Sequence, residues 1–327
     1  MTKEERAYNP SIQALIEATK EDWGNPLEQR KLLVPYGIPP FDLALYGIDV
    51  INGELNIVMA PEKKRKTTYM INVISNIMMG DKPKEKPFIV VDTLESGMPP
   101  NRYRDSLISN VATRYLLDRG HKHNSRCPVC GTTPCKELGF SPEFLRFNSR
   151  TNTQQQAIDY ALAEMSTWSL YLYGANPQQG ATRNLQGSVS RWEELIEKLG
   201  MKILIVDHLQ LYSFGGFNNL TDYEKQLRIV SACGEVVAKH NIVIFLISQV
   251  SLGSQKEAKA GTGKWNTMGG TKAHQEANTI FYTNYENGSG EMEIGIQDSR
   301  KSNTFSVTTA IEDVSGTWYG EFKRSYK

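Results

Sequence analysis

Four short apolar runs constrain this chain more than anything else in it: GELNIVMA at 53–60, PFIVVDT at 87–93, MKILIVD at 201–207 and IVIFLIS at 242–248. Each is largely apolar at successive positions, a pattern a strand sustains only when both of its faces are covered. Segments of helical periodicity lie between them, TTYMINVISNIMM at 67–79 and the stretch 223–240 among them. Strand, helix, strand is a βαβ unit, so the expected class is α/β with a mainly parallel sheet. From Thr279 onward NTIFYTNYE, EMEIGIQDS and FSVTTAIED follow one another without helices, which predicts an antiparallel end to that sheet. EFLRFN at 143–148 reads as a further strand, and QQAIDYALAEMSTWSLYLY at 155–173 as one helix.

A length of 327 residues allows two modest domains or one enlarged one, and no internal repeat divides it. Residues 1–30 are polar apart from SIQALIEATKEDW, where Ile12, Leu15, Ile16 and Trp23 stand at near-helical spacing. The expected organisation is a helical arm or linker over 1–30 and a single α/β domain over 31–327. With 37 Lys and Arg against 36 Asp and Glu, the net charge of +1 excludes a polyelectrolyte, so any nucleic-acid contact must come from local patches. No apolar run reaches the ~18–20 residues of a membrane span, and MTKEERAYNPS lacks the apolar core of a signal peptide. The expectation is a cytoplasmic protein with no membrane partner.

Between the first strand and its helix lies Ala60-Pro-Glu-Lys63-Lys64-Arg65-Lys66-Thr67-Thr68. A phosphate loop of the form G-x-x-x-x-G-K-[ST] uses two glycines to curl backbone N–H groups around phosphate, a lysine for the β and γ oxygens, and a hydroxyl for Mg²⁺. Lys66 and Thr67 occupy the last two places, while Ala60 and Arg65 stand where the glycines belong. The bland alternative is a solvated basic turn; the position at a strand-to-helix junction, with hydroxyls following, favours phosphate. Lys63, Lys64, Arg65, Lys66, Thr67 and Thr68 are the candidate nucleotide-binding residues.

Three other strand ends carry matching chemistry. MKILIVD ends at Asp207, suited to a Mg²⁺-bound water. IVIFLIS runs into Ser248-Gln249, suited to sensing a γ-phosphate, and FIVVDT runs into Leu94-Glu95, a candidate base for an attacking water. Singly each is an ordinary polar strand end; together they form the set that phosphoryl transfer requires.

The succession GELNIVMA…KTT, VVDTLESGM, KILIVDHLQLY, VIFLISQVS and GGTKAHQEANTIFY resembles the RecA-type ATPase domain of bacterial and phage DnaB-like replicative helicases over roughly residues 30–325. The most telling piece is VDHLQLY. The resemblance implies a RecA-like P-loop fold and a ring-forming, hexameric helicase or translocase that uses ATP and Mg²⁺ on single-stranded DNA during replication, with other replication proteins as partners. It assigns phosphate and Mg²⁺ to Lys66 and Thr67, water activation to Glu95, Mg²⁺ to Asp207, γ-phosphate sensing to Gln249, and an arginine finger to Arg300. Asp298 stands where the family has the lysine of its finger motif. That departure and the two absent glycines leave a second expectation, a DNA-binding or assembly subunit whose nucleotide site has decayed. A recombinase-type or clock-type RecA relative is the third.

His121-Lys-His123-Asn-Ser-Arg-Cys127-Pro-Val-Cys130-Gly-Thr-Thr-Pro-Cys135 has the C-P-x-C-G form of a zinc knuckle. Two thiolates two residues apart bite one tetrahedral ion, the glycine lets the chain turn beneath it, and Cys135 with either His121 or His123 completes four ligands. The expectation is a structural Zn²⁺ in an insertion at about 119–140, lying outside the helicase resemblance; the alternative is reduced surface thiols. Cys233, on an apparent helix, reads as packing. The loop 251–270 combines Lys256, Lys259 and Lys264 with Trp265 among glycines, a mixture suited to phosphate attraction and base stacking on single-stranded DNA. Phe214 and Phe217, in the loop 213–222, are weaker candidates of the same kind.

Overall fold

The computed structural model describes residues 33–81, 85–95, 98–122, 125–133, 135–174, 184–214, 220–250 and 275–325. In chain order these form α1 (Pro39–Leu45), β1 (Glu54–Ala60), α2 (Lys66–Met79), β2 (Phe88–Thr93), α3 (Pro100–Asp118), α4 (Pro142–Phe147), α5 (Asn152–Met165), β3 (Leu170–Gly174), α6 (Leu185–Leu199), β4 (Met201–Asp207), a 3₁₀ turn (Leu209–Leu211), α7 (Asp222–His240), β5 (Val243–Gln249), and then β6 (Thr279–Tyr285), β7 (Glu291–Ser299), β8 (Phe305–Ile311) and β9 (Trp318–Ser325). The arm at 1–30, His123, Phe217 and the loop residues Lys256, Lys259, Lys264 and Trp265 lie outside the described residues.

One nine-stranded sheet runs in the order β3-β2-β4-β5-β1-β6-β7-β8-β9. Its first six strands are parallel, and β6 to β9 form an antiparallel meander. Every residue of β1 is buried, because β1 sits between β5 and β6 with a helical layer on each face. Strand alternation sorts the side chains: Val58, Ile205 and Phe245 face α1, α2 and α3, whereas Ile57, Met59, Val206 and Leu246 face α6 and α7. Gly53 leads into β1 at φ +79°, where a β-carbon would stand 2.7 Å from the carbonyl oxygen of Ile242, so the tight entry requires glycine. Helix ends are set by local chemistry: Thr151 with Gln154 and Thr221 with Glu224 form capping boxes on α5 and α7.

Two sequence expectations are corrected. EFLRFN is helical, because Pro142 occupies the first turn of α4 and Ser141 accepts a hydrogen bond from the Phe144 N–H at 2.9 Å. The long helix over 155–173 ends at Met165, and Leu170–Gly174 is instead the edge strand β3, paired in parallel with β2. The helix α5 it leaves behind packs on α3, and their apolar faces enclose a small third core with Cys127, Cys135, Leu138 and Phe140. No helix among the described residues is long and apolar enough to cross a membrane.

Candidate functional site

The parallel strands point their carboxyl ends to one edge, which brings the loop 61–65, Glu95, Asp207 and Gln249 together at the top of β1, β2, β4 and β5. Register fixes their heights: Ala60 pairs with Gln249, and Thr93 with Asp207. Such an edge is where open α/β sheets bind ligands.

The loop keeps the backbone of a phosphate cradle without its glycines. Lys63 (φ 60°) and Arg65 (φ 65°) both lie in the left-handed region, which ordinarily favours glycine. At Arg65 the neighbours account for the choice. The Arg65 guanidinium donates to the Asp313 carbonyl at 2.6 Å and lies 4.6 Å from the centre of the Tyr285 ring. Lys64 Nζ donates to the Tyr285 carbonyl at 2.5 Å, and Thr283 Oγ1 donates to the Lys64 carbonyl at 2.7 Å. The loop is therefore strapped to β6 and to the β8–β9 turn.

Among the described residues, the N–H groups of Lys66, Thr67 and Thr68 have no backbone acceptor. They open a helix of 14 residues, where free donors and the helix dipole both attract an anion. Lys66 is buried, with Nζ donating to the carbonyls of Ala60 (3.1 Å) and Pro61 (2.8 Å). Burial lowers its ammonium pKa to about 8, against the opposing pull of Asp207 and Glu95. Thr67 Oγ1 donates to Asp207 Oδ2 at 2.7 Å, the spacing at which a hydroxyl and a carboxylate bracket a hydrated Mg²⁺. Burial raises Asp207 to about 6, opposed by the Thr67 hydrogen bond and reinforced by the nearby Glu95 charge. Free N–H donors, a buried lysine and a hydroxyl–carboxylate pair are a donor set that fits a Mg²⁺-bound polyphosphate.

Two features escaped the sequence reading. His208, lowered in pKa by burial, has Nδ1 3.0 Å from Gln210 Oε1. Gln210 Nε2 in turn donates to Ser248 Oγ and to the Gln249 carbonyl, both at 3.2 Å, tying the ends of β4 and β5 together. Asp92, 1% exposed, accepts from Tyr173 Oη (2.9 Å), Trp192 Nε1 (3.1 Å) and Tyr212 Oη (3.2 Å). It anchors the segment after β4 from below. The signal was present in VVDT and HLQLY, but only the fold sets those aromatic donors around one carboxylate.

Arg300 is elsewhere. Its N–H donates to the Asn278 carbonyl at 3.0 Å, and Asn278 is hydrogen-bonded to Leu55 at the amino end of β1. The guanidinium, exposed, donates to the Gln275 carbonyl. Arg300 thus lies at the sheet edge opposite the phosphate-loop position. Phe214 is half-buried and packs on the core beneath α6 and α7, and Cys233 is buried in that same core.

His121, Cys127, Cys130 and Cys135 converge in the segment between α3 and α4, their ligand atoms all within 4.8 Å of one another. Nδ1 of His121 is 3.3 Å from Cys135 Sγ and 3.7 Å from Cys127 Sγ, and Cys130 Sγ is 3.4 Å from Cys135 Sγ. Tetrahedral Zn²⁺ with Zn–S near 2.3 Å sets ligand atoms about 3.5–3.8 Å apart, so these spacings suit a single tetrahedral ion. The turn that makes them is closed by Gly131 N–H to the Cys127 carbonyl (2.8 Å) and Cys127 N–H to the Thr132 carbonyl (3.0 Å). Of the two histidines left open by the sequence, the described structure brings His121 to the thiols.

Compared by sequence, the chain matches no protein-family model and no curated protein. Compared by structure, it resembles an ATPase domain with a TM-score of 0.69 at 15% identity, over 95% of this chain and 99% of that one. It also resembles a DnaB-like replicative helicase, solved for its interactions with primase, with a TM-score of 0.69 at 14% identity, over 95% of this chain and 67% of that one. At such identity what is shared is the fold: over 95% of its length the chain folds as those two solved structures do.

Proposed function

We propose that the protein is a nucleotide-dependent motor of the DnaB-like kind, an oligomeric ring that translocates on single-stranded DNA during replication. The observation that carries this reading is the Thr67–Asp207 pair, with Lys66 and Glu95 beside it, at the carboxyl edge of a RecA-type sheet. In this reading the N–H groups opening α2 and the Lys66 ammonium bind phosphate, Thr67 and Asp207 hold Mg²⁺, and Glu95 orients and deprotonates the attacking water. Bound Mg²⁺ supplies Lewis acidity toward the phosphoryl oxygens. Gln249, whose backbone is fixed by Gln210, senses the terminal phosphate. Arg300 serves the site of a neighbouring copy, and Lys256, Lys259, Lys264 and Trp265 contact DNA. His121, Cys127, Cys130 and Cys135 hold a structural Zn²⁺.

Two observations favour the alternative of a DNA-binding or assembly subunit with a decayed site: Lys66 Nζ is turned onto its own loop carbonyls, and Arg65 replaces the cradle glycine. Calorimetric titration with Mg·ATP, followed by phosphate release with and without single-stranded DNA, decides between them. The motor reading expects binding, DNA-stimulated hydrolysis, and loss of turnover in Lys66→Ala and Glu95→Ala. Absence of binding at millimolar nucleotide supports the alternative.

A further inference from the structure

Thr67, Thr68 and Glu95 form one side of a cleft of about 430 Å³ whose other side is Arg102, Ser141 and Glu143. The second wall comes from α3 and from the start of α4, directly after the cysteine cluster. Two cationic residues line this cleft, Arg65 and Arg102. Arg65 is committed to the Asp313 carbonyl and the Tyr285 ring, and Arg300 lies at the far edge of the sheet. Arg102 is differently placed. It stands in the first turn of α3, and its guanidinium pairs with Glu143 at 2.8 Å, both side chains about half exposed to solvent.

An ion pair so exposed is weak and exchanges readily. A terminal phosphate offers the same guanidinium a more highly charged acceptor with bidentate geometry. The backbone that carries Glu143 is held in place. Its helix is pinned to α3 by Arg146, whose Nε donates to Asp105 at 2.7 Å, and the chain just before that helix by the Ser109 hydroxyl on the Phe140 carbonyl. Phe140 packs in the same small core as Cys127 and Cys135, so the cysteine cluster fixes where Glu143 stands.

We propose that Arg102 is a phosphate-binding residue acting within its own chain, parked on Glu143 when the site is empty and transferred to the terminal phosphate of a bound nucleoside triphosphate. The proposal rests on the nucleotide reading above. Two ligands separate its consequences, Mg·ADP and the Mg complex of a non-hydrolysable imido analogue of ATP, titrated calorimetrically into the full chain.

Arg102→Ala is expected to weaken the analogue about tenfold while leaving ADP within about twofold, because ADP lacks the phosphate in question. Glu143→Gln is expected to tighten the analogue and leave ADP unchanged, since the competing carboxylate charge is gone. Arg102→Lys, which keeps charge but not the fork, is expected to recover part of the loss. Melting temperatures of the variants within a few degrees of the parent show that the fold is intact. Equal effects on both ligands, or none on either, overturn the role of Arg102. If the unaltered protein binds neither ligand, the nucleotide reading itself fails and takes this proposal with it.

Discussion

At Arg65 the backbone conformation (φ 65°, ψ 27°) is one that glycine adopts freely and that costs a side-chain-bearing residue about 1 kcal/mol. The hydrogen bond to Asp313 and the Tyr285 ring contact offset that cost, so one residue both strains the loop and fastens it. Arg65→Ala keeps the strain and loses both contacts, whereas Arg65→Gly loses the contacts and relieves the strain. Thermal or denaturant unfolding is expected to find the glycine variant more stable than the alanine variant by ~1 kcal/mol; equal stabilities would remove the left-handed strain from the account. Asp207 stores a cost of another kind. Its native pKa, raised from 3.8 to about 6, means that its contribution to stability is full below the unfolded value and is lost as pH rises through about 6. Lys66, lowered from 10.5 to about 8, loses its contribution as pH falls through about 8. Both groups are therefore unfavourable near neutral pH without a ligand. Asp207→Asn is expected to melt above the parent at pH 7.5 in chelator, with the gain shrinking toward pH 4; a lower melting temperature at pH 7.5 would contradict this assignment of cost. Residue identity was legible in sequence at Lys66, Thr67 and Asp207. What was not legible was that Arg65 adopts the glycine conformation, because its anchors lie 220 and 248 residues away in sequence, at Tyr285 and Asp313.

Among the elements, the apolar strands β1, β2, β4 and β5 were read from sequence because burial on both faces leaves nothing for a polar residue to do within them. The short elements were misread for an equally physical reason. EFLRFN is short and half apolar, which is compatible with an edge strand, yet the cap from Ser141 and the fixed φ of Pro142 select a helix. LYLYG continues an apolar pattern that α5 had begun, and only pairing with β2 makes it a strand. The segment between α3 and α4 has little regular structure among its described residues, and its buried apolar side chains there are Cys127, Cys135, Leu138 and Phe140, against the α3–α5 pair. If the four-ligand cluster holds a metal, as proposed, that ion is the main force holding the segment. Elemental analysis is expected to find one zinc per chain, lost in Cys127→Ser. Hydrogen exchange on the metal-free protein is expected to speed up across 121–140 while the amides of β1, β4 and β5 stay protected. Unchanged exchange in 121–140 after chelation would mean that the segment stands without metal.

For the molecule as a whole, the sheet register separates two groups that the family resemblance places in one reaction. Thr279 pairs with Asn56 near the start of β1 and with Ser299 at the end of β7, so Arg300 sits level with Leu55, while the phosphate loop begins only after Ala60. At ~3.3 Å per residue along a strand, the length of β1 lies between them. No side chain bridges that span within the chain. If Arg300 completes a nucleotide site, it completes that of a neighbouring copy, which requires a head-to-tail interface, one that closes into a ring or runs on as a filament. Lys66→Ala and Arg300→Ala should then each abolish turnover when assayed alone. Mixed in equal amounts and allowed to exchange subunits, they form some interfaces that combine an intact Lys66 from one copy with an intact Arg300 from the next. Random mixing makes about a quarter of the interfaces of this kind, so hydrolysis is expected to recover toward about a quarter of the parent rate. The parallel class of the sheet and the placing of Lys66, Glu95 and Asp207 at strand ends followed from the pattern of apolar runs, but the strand order and the separation of Arg300 from those residues depend on pairing and register, which apolar periodicity does not encode. A mixture as inactive as its components would place the Arg300 function outside the nucleotide site altogether.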